Sequence, residues 1–286
     1  MPHKDGRPTI GGAAREPLKI LKRTGRAVLG QAGVLDLLYP RRFHAYCCGA
    51  AKTGTHSIRA IFHGYRAAHE VDIERTLRLA VAYCDRSITA GAAARAVGRR
   101  DRSLWLEMDS SPVNGVLVRP IVEALPDALV ILTIRDAYSW ANSCFDHQVN
   151  ISVPDLWYQL DRRVMGLDNT PHSRWDAPLE ERGLYPLACY FRRWTEHNEA
   201  VLEAVPEDRL LVVRTDDIAA RIADIAAFVG VPVATLEAGN ARSYAAPKKH
   251  RILARLDSSY VRETAERCCG DLMKRFFPDV PPYEPT

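Results

Sequence analysis

One lysine stands in a segment that could bind an anion. Residues 47–57 read Cys-Cys-Gly-Ala-Ala-Lys-Thr-Gly-Thr-His-Ser, and Lys52 is the only lysine between Lys22 and Lys248. An apolar run over residues 43–48 leads into this segment, and a helical pattern leaves it. A strand, a tight turn and a helix N-terminus together direct several backbone N–H groups at one point. The pattern therefore predicts a turn that can receive a negatively charged group.

The residue types in this turn indicate that the anion is a phosphate. Small residues let the backbone approach an anion closely, Lys52 adds a compact charge, and Thr55 and Ser57 add hydroxyl donors. The turn is not a Walker A motif, because the lysine precedes Gly54 instead of following it. We therefore predict a phosphate cradle of a different kind.

A second anion site is predicted at the end of another strand. Residues 128–134 form a continuous apolar run, which is typical of a strand buried on both faces of a parallel sheet. Arg135 follows this run directly, and Ser143 lies eight residues further on, in a predicted helix. Ligands of doubly wound sheets bind at the carboxyl ends of strands, so the two side chains could clamp a second phosphate. The alternative is that Arg135 pairs with a carboxylate and Ser143 is solvated.

Strand and helix patterns alternate along most of the chain, which predicts a three-layer α/β/α domain with a mostly parallel central sheet. Predicted strands cover residues 43–48, 103–108, 128–134 and 209–213. Predicted helices cover residues 55–68, 73–82, 88–97, 113–124, 137–149, 184–204, 218–229 and 253–277. We expect a mobile tail over residues 1–16 and a single domain over 17–286.

Two further segments have more than one interpretation. The basic amphipathic pattern over residues 18–38 could touch a membrane surface, or it could pack on its own domain or on a partner subunit in a homo-oligomer. The polar stretch over residues 150–183 predicts an insertion or lid over the sheet edge. Together with residues 84–102, it is where we expect the acceptor pocket.

Composition narrows the class of protein. The chain has 286 residues and a net charge of +4, and this mild positive charge weakly favours anionic ligands. A nucleic-acid-binding protein would need a clustered basic stripe, which we do not predict here. No apolar run approaches the roughly 20 residues of a membrane span, and no apolar signal-peptide core is present. Seven cysteines, an odd number, predict free thiols in a reducing compartment, so we expect a cytoplasmic protein.

The two anion-binding patterns in this order resemble the sulfotransferase family that uses 3′-phosphoadenosine 5′-phosphosulfate (PAPS). The similarity spans about residues 43–280, including the segments 185–194 and 211–217 and a tail similar to bacterial members. The resemblance implies a P-loop NTPase-like sulfotransferase fold, in which Arg135 and Ser143 bind the 3′-phosphate. It also implies that the 5′-phosphosulfate is bound by Lys52, Thr53, Gly54, Thr55, His56 and Ser57.

The sequence departs from the family pattern at two places. Arg214 stands where many members have an aromatic residue, and the tail lacks the arginine-lysine-glycine signature of the steroid and phenol enzymes. Positive charge over the nucleotide could come instead from Lys248, Lys249, His250 and Arg251, although this run could equally be a solvated basic loop. The resemblance therefore implies a bacterial enzyme that acts on a carbohydrate, a lipid or a secondary metabolite.

The reaction that the resemblance implies is in-line sulfuryl transfer, which depends on positioning and charge neutralisation and does not require a metal. Lys52 would neutralise the leaving phosphate oxygen. The acceptor hydroxyl needs a base, and Glu70 stands where related carbohydrate and tyrosine sulfotransferases place a catalytic glutamate. Other candidates for the base are Glu107, Asp109, Glu74 and His147. The competing functions are a P-loop kinase or NTPase and a non-catalytic nucleotide-binding scaffold.

Overall fold

The computed structural model describes residues 35, 38–166, 170–240 and 249–285. The tail predicted over residues 1–16, nearly all of the amphipathic pattern over 18–38, and Lys248 lie outside the described residues. Within the described ranges, no helix is both long enough and apolar enough to cross a membrane.

The core of the molecule is a five-stranded sheet in which every neighbouring pair of strands is parallel. The strands lie side by side in the order β2-β3-β1-β4-β5. They are β1 (Ala45–Cys47), β2 (Ala67–His69), β3 (Met108–Ser110), β4 (Leu129–Ile134) and β5 (Leu210–Arg214). Because successive parallel strands need crossover connections, helices cover both faces. The predicted three-layer α/β/α architecture is confirmed.

The helices of the described chain lie between these strands or follow β5. They are α1 (Thr55–Ile61), α2 (Ile73–Cys84), α3 (Ala90–Leu104), α4 (Pro112–Val116), α5 (Val118–Ala124), α6 (Ala137–Asn150), α7 (Asp155–Met165), α8 (Ala177–Glu180), α9 (Leu187–Ala204), α10 (Ile222–Val229) and α11 (Ser258–Phe276). Short 3₁₀ turns lie at Arg174–Asp176, Glu207–Arg209, Thr215–Asp217, Val233–Thr235, Ala238–Asn240 and Leu253–Arg255.

The two faces of the sheet have separate cores because successive side chains of a strand point to opposite sides. In β1, Ala45 and Cys47 pack with α1 and α10, whereas Tyr46 packs with residues of α2, α4 and α5. In β4, Ile131 faces the first of these cores and Leu132 the second. The central strands are therefore buried on both faces, as their continuous apolar runs predict.

The prediction was wrong for the segment after β1. A single helix was expected over residues 55–68, but α1 ends at Ile61, and the chain turns back to form the edge strand β2, which pairs with β3. A strand of three half-buried residues is too short to show an alternating pattern, so the helical pattern was extended across it.

The prediction was also wrong for the position of β3. A strand was expected over residues 103–108, but α3 continues to Leu104, and Trp105 ends it in a left-handed conformation with φ 54°. The strand begins at Met108, five residues later than expected.

The described parts of residues 150–183, namely 150–166 and 170–183, pack against the rest of the domain. They include α7, which packs against α2 and α9, and Arg163 of α7 bonds Asp85 at the end of α2, with 2.5 Å between Nε and Oδ1. The buried Asp176 fastens the other end of this segment, because its carboxylate accepts hydrogen bonds from Tyr260 Oη and from the backbone N–H of Leu187. Helix α7 is therefore held firmly beside the carboxyl edge of the sheet.

Candidate active site

A cavity of about 1140 Å³ opens at the carboxyl edge of the sheet. Each strand is followed by a residue that lines this cavity: Lys52 after β1, Glu70 after β2, Pro112 after β3, Arg135 after β4 and Thr215 after β5. Parallel strands bring their carboxyl ends to one edge, which is why residues so distant in sequence meet here. The cavity is the candidate active site.

The turn between β1 and α1 forms one wall of the cavity. Gly54, just before α1, has φ 105°, and a Cβ atom there would lie 2.7 Å from Ile218 Cδ1, so the turn requires glycine. Thr215 Oγ1 donates to the carbonyl oxygens of Thr53 (2.6 Å) and Ile134 (3.1 Å). The turn is thereby fastened to the ends of β4 and β5.

The structure brings five of the six predicted cradle residues to the cavity wall, namely Lys52, Gly54, Thr55, His56 and Ser57. Thr53 is the exception. Its hydroxyl is buried, donates to the carbonyl of Ala50 at 2.7 Å and lies 2.9 Å from Thr133 Oγ1. Its backbone N–H also donates to Ala50. Thr53 therefore shapes the turn and does not face the cavity.

Two histidines form part of the same wall, and only one of them was predicted. His56 stacks on His69, with 3.7 Å between ring centroids, and His69 Nε2 lies 3.0 Å from Thr55 Oγ1. Burial, together with the charges of His56 and Arg59, lowers the pKa of His69 to about 3. Burial also lowers the pKa of His56. The pair is therefore neutral near pH 7 and leaves Lys52 as the main cation of this turn.

The predicted second anion site shares the cavity with the first. Arg135 and Ser143 both line it, and Arg135 Nε donates to Ser139 Oγ at 2.9 Å. Trp194 Nε1 donates to the Arg135 carbonyl at 2.8 Å and so fixes the backbone there. Burial lowers the pKa of Lys52, and the charge of Arg135 lowers it further. Two cations that repel one another in one cavity favour a ligand with more than one negative charge.

The basic segment of the tail also reaches the cavity. Lys249 and Arg251 line it, whereas Lys248 lies outside the described residues. The backbone N–H of His250 donates to Asp146 Oδ1 at 2.7 Å, which holds this segment against α6.

Glu70 lines the cavity immediately after β2. Its backbone N–H donates to the carbonyl of Ser110 at 3.0 Å, and one carboxylate oxygen lies 3.9 Å from His69 Nδ1. Burial raises the pKa of the Glu70 carboxyl. Glu74, its alternative, is exposed and pairs with Arg78 at 2.7 Å on the outer face of α2. Of these two glutamates, only Glu70 meets the cavity.

Glu107 does not belong to the site, which corrects the sequence prediction. It precedes β3, at the amino edge of the sheet, and its buried side chain accepts hydrogen bonds from Arg42 Nε and from the backbone N–H of Arg66, both at 2.9 Å. Burial alone would raise the pKa of Glu107, but these hydrogen bonds outweigh it and lower the pKa to about 2. Asp109 is likewise structural, since it is buried within β3 against Arg100 Nη1 at 2.5 Å.

His147 lines the cavity one turn beyond Ser143. Burial and the charge of Lys52 lower its pKa, so the imidazole is neutral near pH 7. Within the described part of the chain, no group is hydrogen-bonded to its buried Nδ1 atom. His147 therefore stays a candidate base beside Glu70.

The sequence analysis expected residues 150–183 at the acceptor pocket but did not predict that part of them forms a helix, α7, with one face toward the cavity. Trp157, Leu160, Asp161 and Val164 recur at helical spacing on one face of this helix, and that face lines the cavity. Burial raises the pKa of the Asp161 carboxyl to about 6, and the charge of Arg193 on α9 opposes this only in part. The helical spacing was a usable signal, but residues 150–183 were predicted to be an insertion or lid with an acceptor-binding loop, without a helix.

Comparison with protein families identifies the class of this chain. The model described as "Sulfotransferase domain" matches residues 46–241, from β1 to beyond α10, which is more than half of the chain. The chain therefore belongs to this sulfotransferase family, and the resemblance inferred from the turn and from Arg135 is confirmed. A comparison with curated proteins gave no match. The family supports sulfuryl transfer as the general activity.

Proposed function

We propose that this protein transfers a sulfuryl group from PAPS to a hydroxyl group of a small acceptor and releases adenosine 3′,5′-bisphosphate (PAP). The observation that carries the proposal is one cavity with two separate sets of anion-binding groups. Lys52 and the turn after β1 form one set, and Arg135 with Ser143 forms the other. PAPS carries phosphate groups at two separated positions, so two separate sets of anion-binding groups in one cavity fit its chemistry. The sulfuryl group is what PAPS would supply.

Lys52 would act on the leaving group. Charge grows on the leaving phosphate oxygen only as the bond to sulfur breaks, so a cation there stabilises the transition state more than the ground state. Backbone N–H groups of the turn would hold the same phosphate, and Arg135 would hold the 3′-phosphate with a charge-assisted hydrogen bond. Lys249 and Arg251 would add positive charge over the nucleotide.

Glu70 would accept the proton of the acceptor hydroxyl. In the balanced step, the acceptor oxygen bonds to sulfur, the bond between sulfur and the phosphate oxygen breaks, and the proton passes to Glu70. Because burial raises its pKa, Glu70 is a better base than an exposed glutamate would be. His147 is the second candidate, on the ground that it is neutral and lines the same cavity.

Nucleotide binding tests the proposal. PAP should stabilise the protein by about 2.7 kcal/mol when present at about a hundred times its dissociation constant, whereas ADP and AMP should stabilise it far less. Thermal unfolding with each nucleotide, with and without Mg²⁺, measures this. Equal stabilisation by ADP, or a strict need for Mg²⁺, would favour the kinase interpretation.

A variant pair separates the 3′-phosphate site from a general charge effect. Arg135→Ala should weaken PAP binding by about 2–3 kcal/mol, because a hydrogen bond to a charged group is lost, and should leave AMP binding nearly unchanged. Arg119→Ala is the matched control, since Arg119 is exposed and pairs with Glu203 away from the cavity. Equal losses for PAP and AMP in Arg135→Ala would show that Arg135 is structural.

A further inference from the structure

The two sides of the cavity differ in chemistry, and β1 divides them. The cationic and hydroxyl groups assigned above to the nucleotide lie at the turn after β1 and on the side of β4 and β5. On the side of β2 and β3, helix α4 presents Val113 and Val116, and α7 presents its face of Trp157, Leu160 and Val164. These helices pack around one apolar core, which Leu77 and Leu117 continue inward. The second side is therefore a largely apolar chamber.

The apolar lining continues to the mouth of the cavity. Ile151 and Tyr158 both line it, and they are 37% and 50% exposed. Val153 and Pro154 lie between them in the same wall. Large exposed apolar side chains at the rim of a pocket mark a surface that a ligand covers.

The cavity has room for a second molecule beside the nucleotide. Its volume of about 1140 Å³ exceeds the roughly 300–1,000 Å³ of pockets that hold one drug-sized ligand. The polar groups that the described residues add to this chamber include Glu70 and Asp161, both carboxyl groups with raised pKa values. Arg193 also lines the cavity and acts on Asp161 through its charge. A free sugar would need hydrogen-bond partners around its whole ring, and the valine and leucine side chains of α4 and α7 offer none.

We propose that the acceptor is an apolar alcohol or phenol, whose hydrophobic body fills the chamber between α4 and α7 and whose hydroxyl points to Glu70. This rests on the proposed function, in which the nucleotide occupies the other side of the cavity. Among carbohydrates, lipids and secondary metabolites, the chamber thus favours a ring- or chain-bearing hydrophobic alcohol over a free sugar.

Binding of simple probes to the full-length protein tests this. Isothermal titration with 2-naphthol, 1-decanol and glucose, each in the presence and absence of saturating PAP, reports on acceptor binding without any need for turnover. We expect 2-naphthol or 1-decanol to bind at least about tenfold more tightly than glucose, which corresponds to about 1.4 kcal/mol. The better of the two hydrophobic probes also indicates whether the natural acceptor carries rings or a chain.

A variant pair locates the binding. Val116→Gln places an amide on the chamber wall and should weaken the hydrophobic probe about tenfold, the cost of an unpaired polar group against an apolar ligand. Val149→Gln changes an exposed valine on α6 outside the cavity and should have no effect. Tighter binding of glucose, or unchanged probe binding in Val116→Gln, would overturn the proposal.

The same titrations keep the two proposals apart. If PAP binds and neither hydrophobic probe does, the acceptor assignment fails alone. If a hydrophobic probe binds and responds to Val116→Gln while PAP does not bind, the chamber stands and the sulfuryl donor is wrong.

Discussion

Three acidic side chains near the site show how far neighbours decide the role of a residue. From the sequence alone, Glu70, Glu107 and Asp161 all lie in segments expected near the carboxyl edge of the sheet. Arg42 and the backbone of Arg66 hold Glu107 ionised at the opposite edge, whereas burial raises the pKa values of Glu70 and Asp161 inside the cavity. Of these three carboxyl groups, the two that face the cavity with a raised pKa are better suited to accept a proton there than Glu107.

Replacing Glu70 tests its role as the base. Glu70→Gln should lower the turnover of any accepted hydroxyl substrate by about 10²- to 10⁴-fold, the usual contribution of a positioned base, and should leave PAP binding unchanged. Glu74→Gln is the control, because Glu74 is exposed on α2 and pairs with Arg78. Turnover near that of the unaltered protein in Glu70→Gln would transfer the assignment to His147.

Asp161 should destabilise the protein at neutral pH. Its pKa of about 6 in the fold lies above the ordinary value of 3.8, so folding disfavours the charged form. The folded state therefore binds more protons between about pH 4 and 6, and stability falls as pH rises through this range. Asp161→Asn should raise the melting temperature near pH 7.5, and this gain should vanish near pH 4, where the carboxyl group is protonated. A constant difference at both pH values would contradict this.

At the scale of elements, long apolar runs allowed buried strands to be predicted from the sequence. Features that depend on tertiary contacts were not predicted. The buried run of β4 and the turn before α1 were located within a residue or two. The predicted strand over 103–108 placed Glu107 near the carboxyl edge, but the true strand begins at Met108, which moves Glu107 to the amino edge. The proposed acceptor chamber depends on how α7 packs on α2, and no local pattern specifies that packing.

Thr215 follows β5 and connects it to β4 and to the turn before α1, so replacing it should affect both stability and nucleotide binding. Its hydroxyl donates to carbonyls of the turn before α1 and of β4. Thr215→Val removes both bonds at similar volume, so it should lower the free energy of unfolding by about 1–3 kcal/mol and weaken PAP binding, because the turn loses its attachment. Thr235→Val is the control, since its hydroxyl bonds Tyr65 Oη and the carbonyl of Pro232 and does not line the cavity. Denaturant unfolding and titration with PAP measure both effects.

At the scale of the whole molecule, buried neutral histidines should make the fold sensitive to acid. Burial lowers the pKa values of His197 and His69 to about 3. The unfolded chain then binds more protons between about pH 3 and 6.5, and stability is lost as pH falls through that window, by about 1.4 kcal/mol per pH unit for each such histidine. Unfolding free energies measured across this window test the slope.

One histidine can be removed to assign part of that slope. His197 is buried on α9, and its Nε2 lies 2.8 Å from the carbonyl oxygen of Cys48. His197→Gln should flatten the pH dependence by the share of one group, even though the variant is less stable at neutral pH. His63→Gln, at an exposed position, should leave the slope unchanged. Equal slopes in all three proteins would show that other groups govern acid unfolding.

The left-handed residues of the cavity have a consequence for protein engineering. Lys52, Glu70 and Arg251 all have positive φ angles between 52° and 70° and all line the cavity. Side chains with a Cβ atom in this region cost about 1–2 kcal/mol each, a strain that glycine avoids. A screen for heat-resistant variants would therefore enrich glycine at these three positions. Such a screen would recover stable proteins that have lost the proposed cation, the proposed base and the proposed nucleotide-binding arginine together.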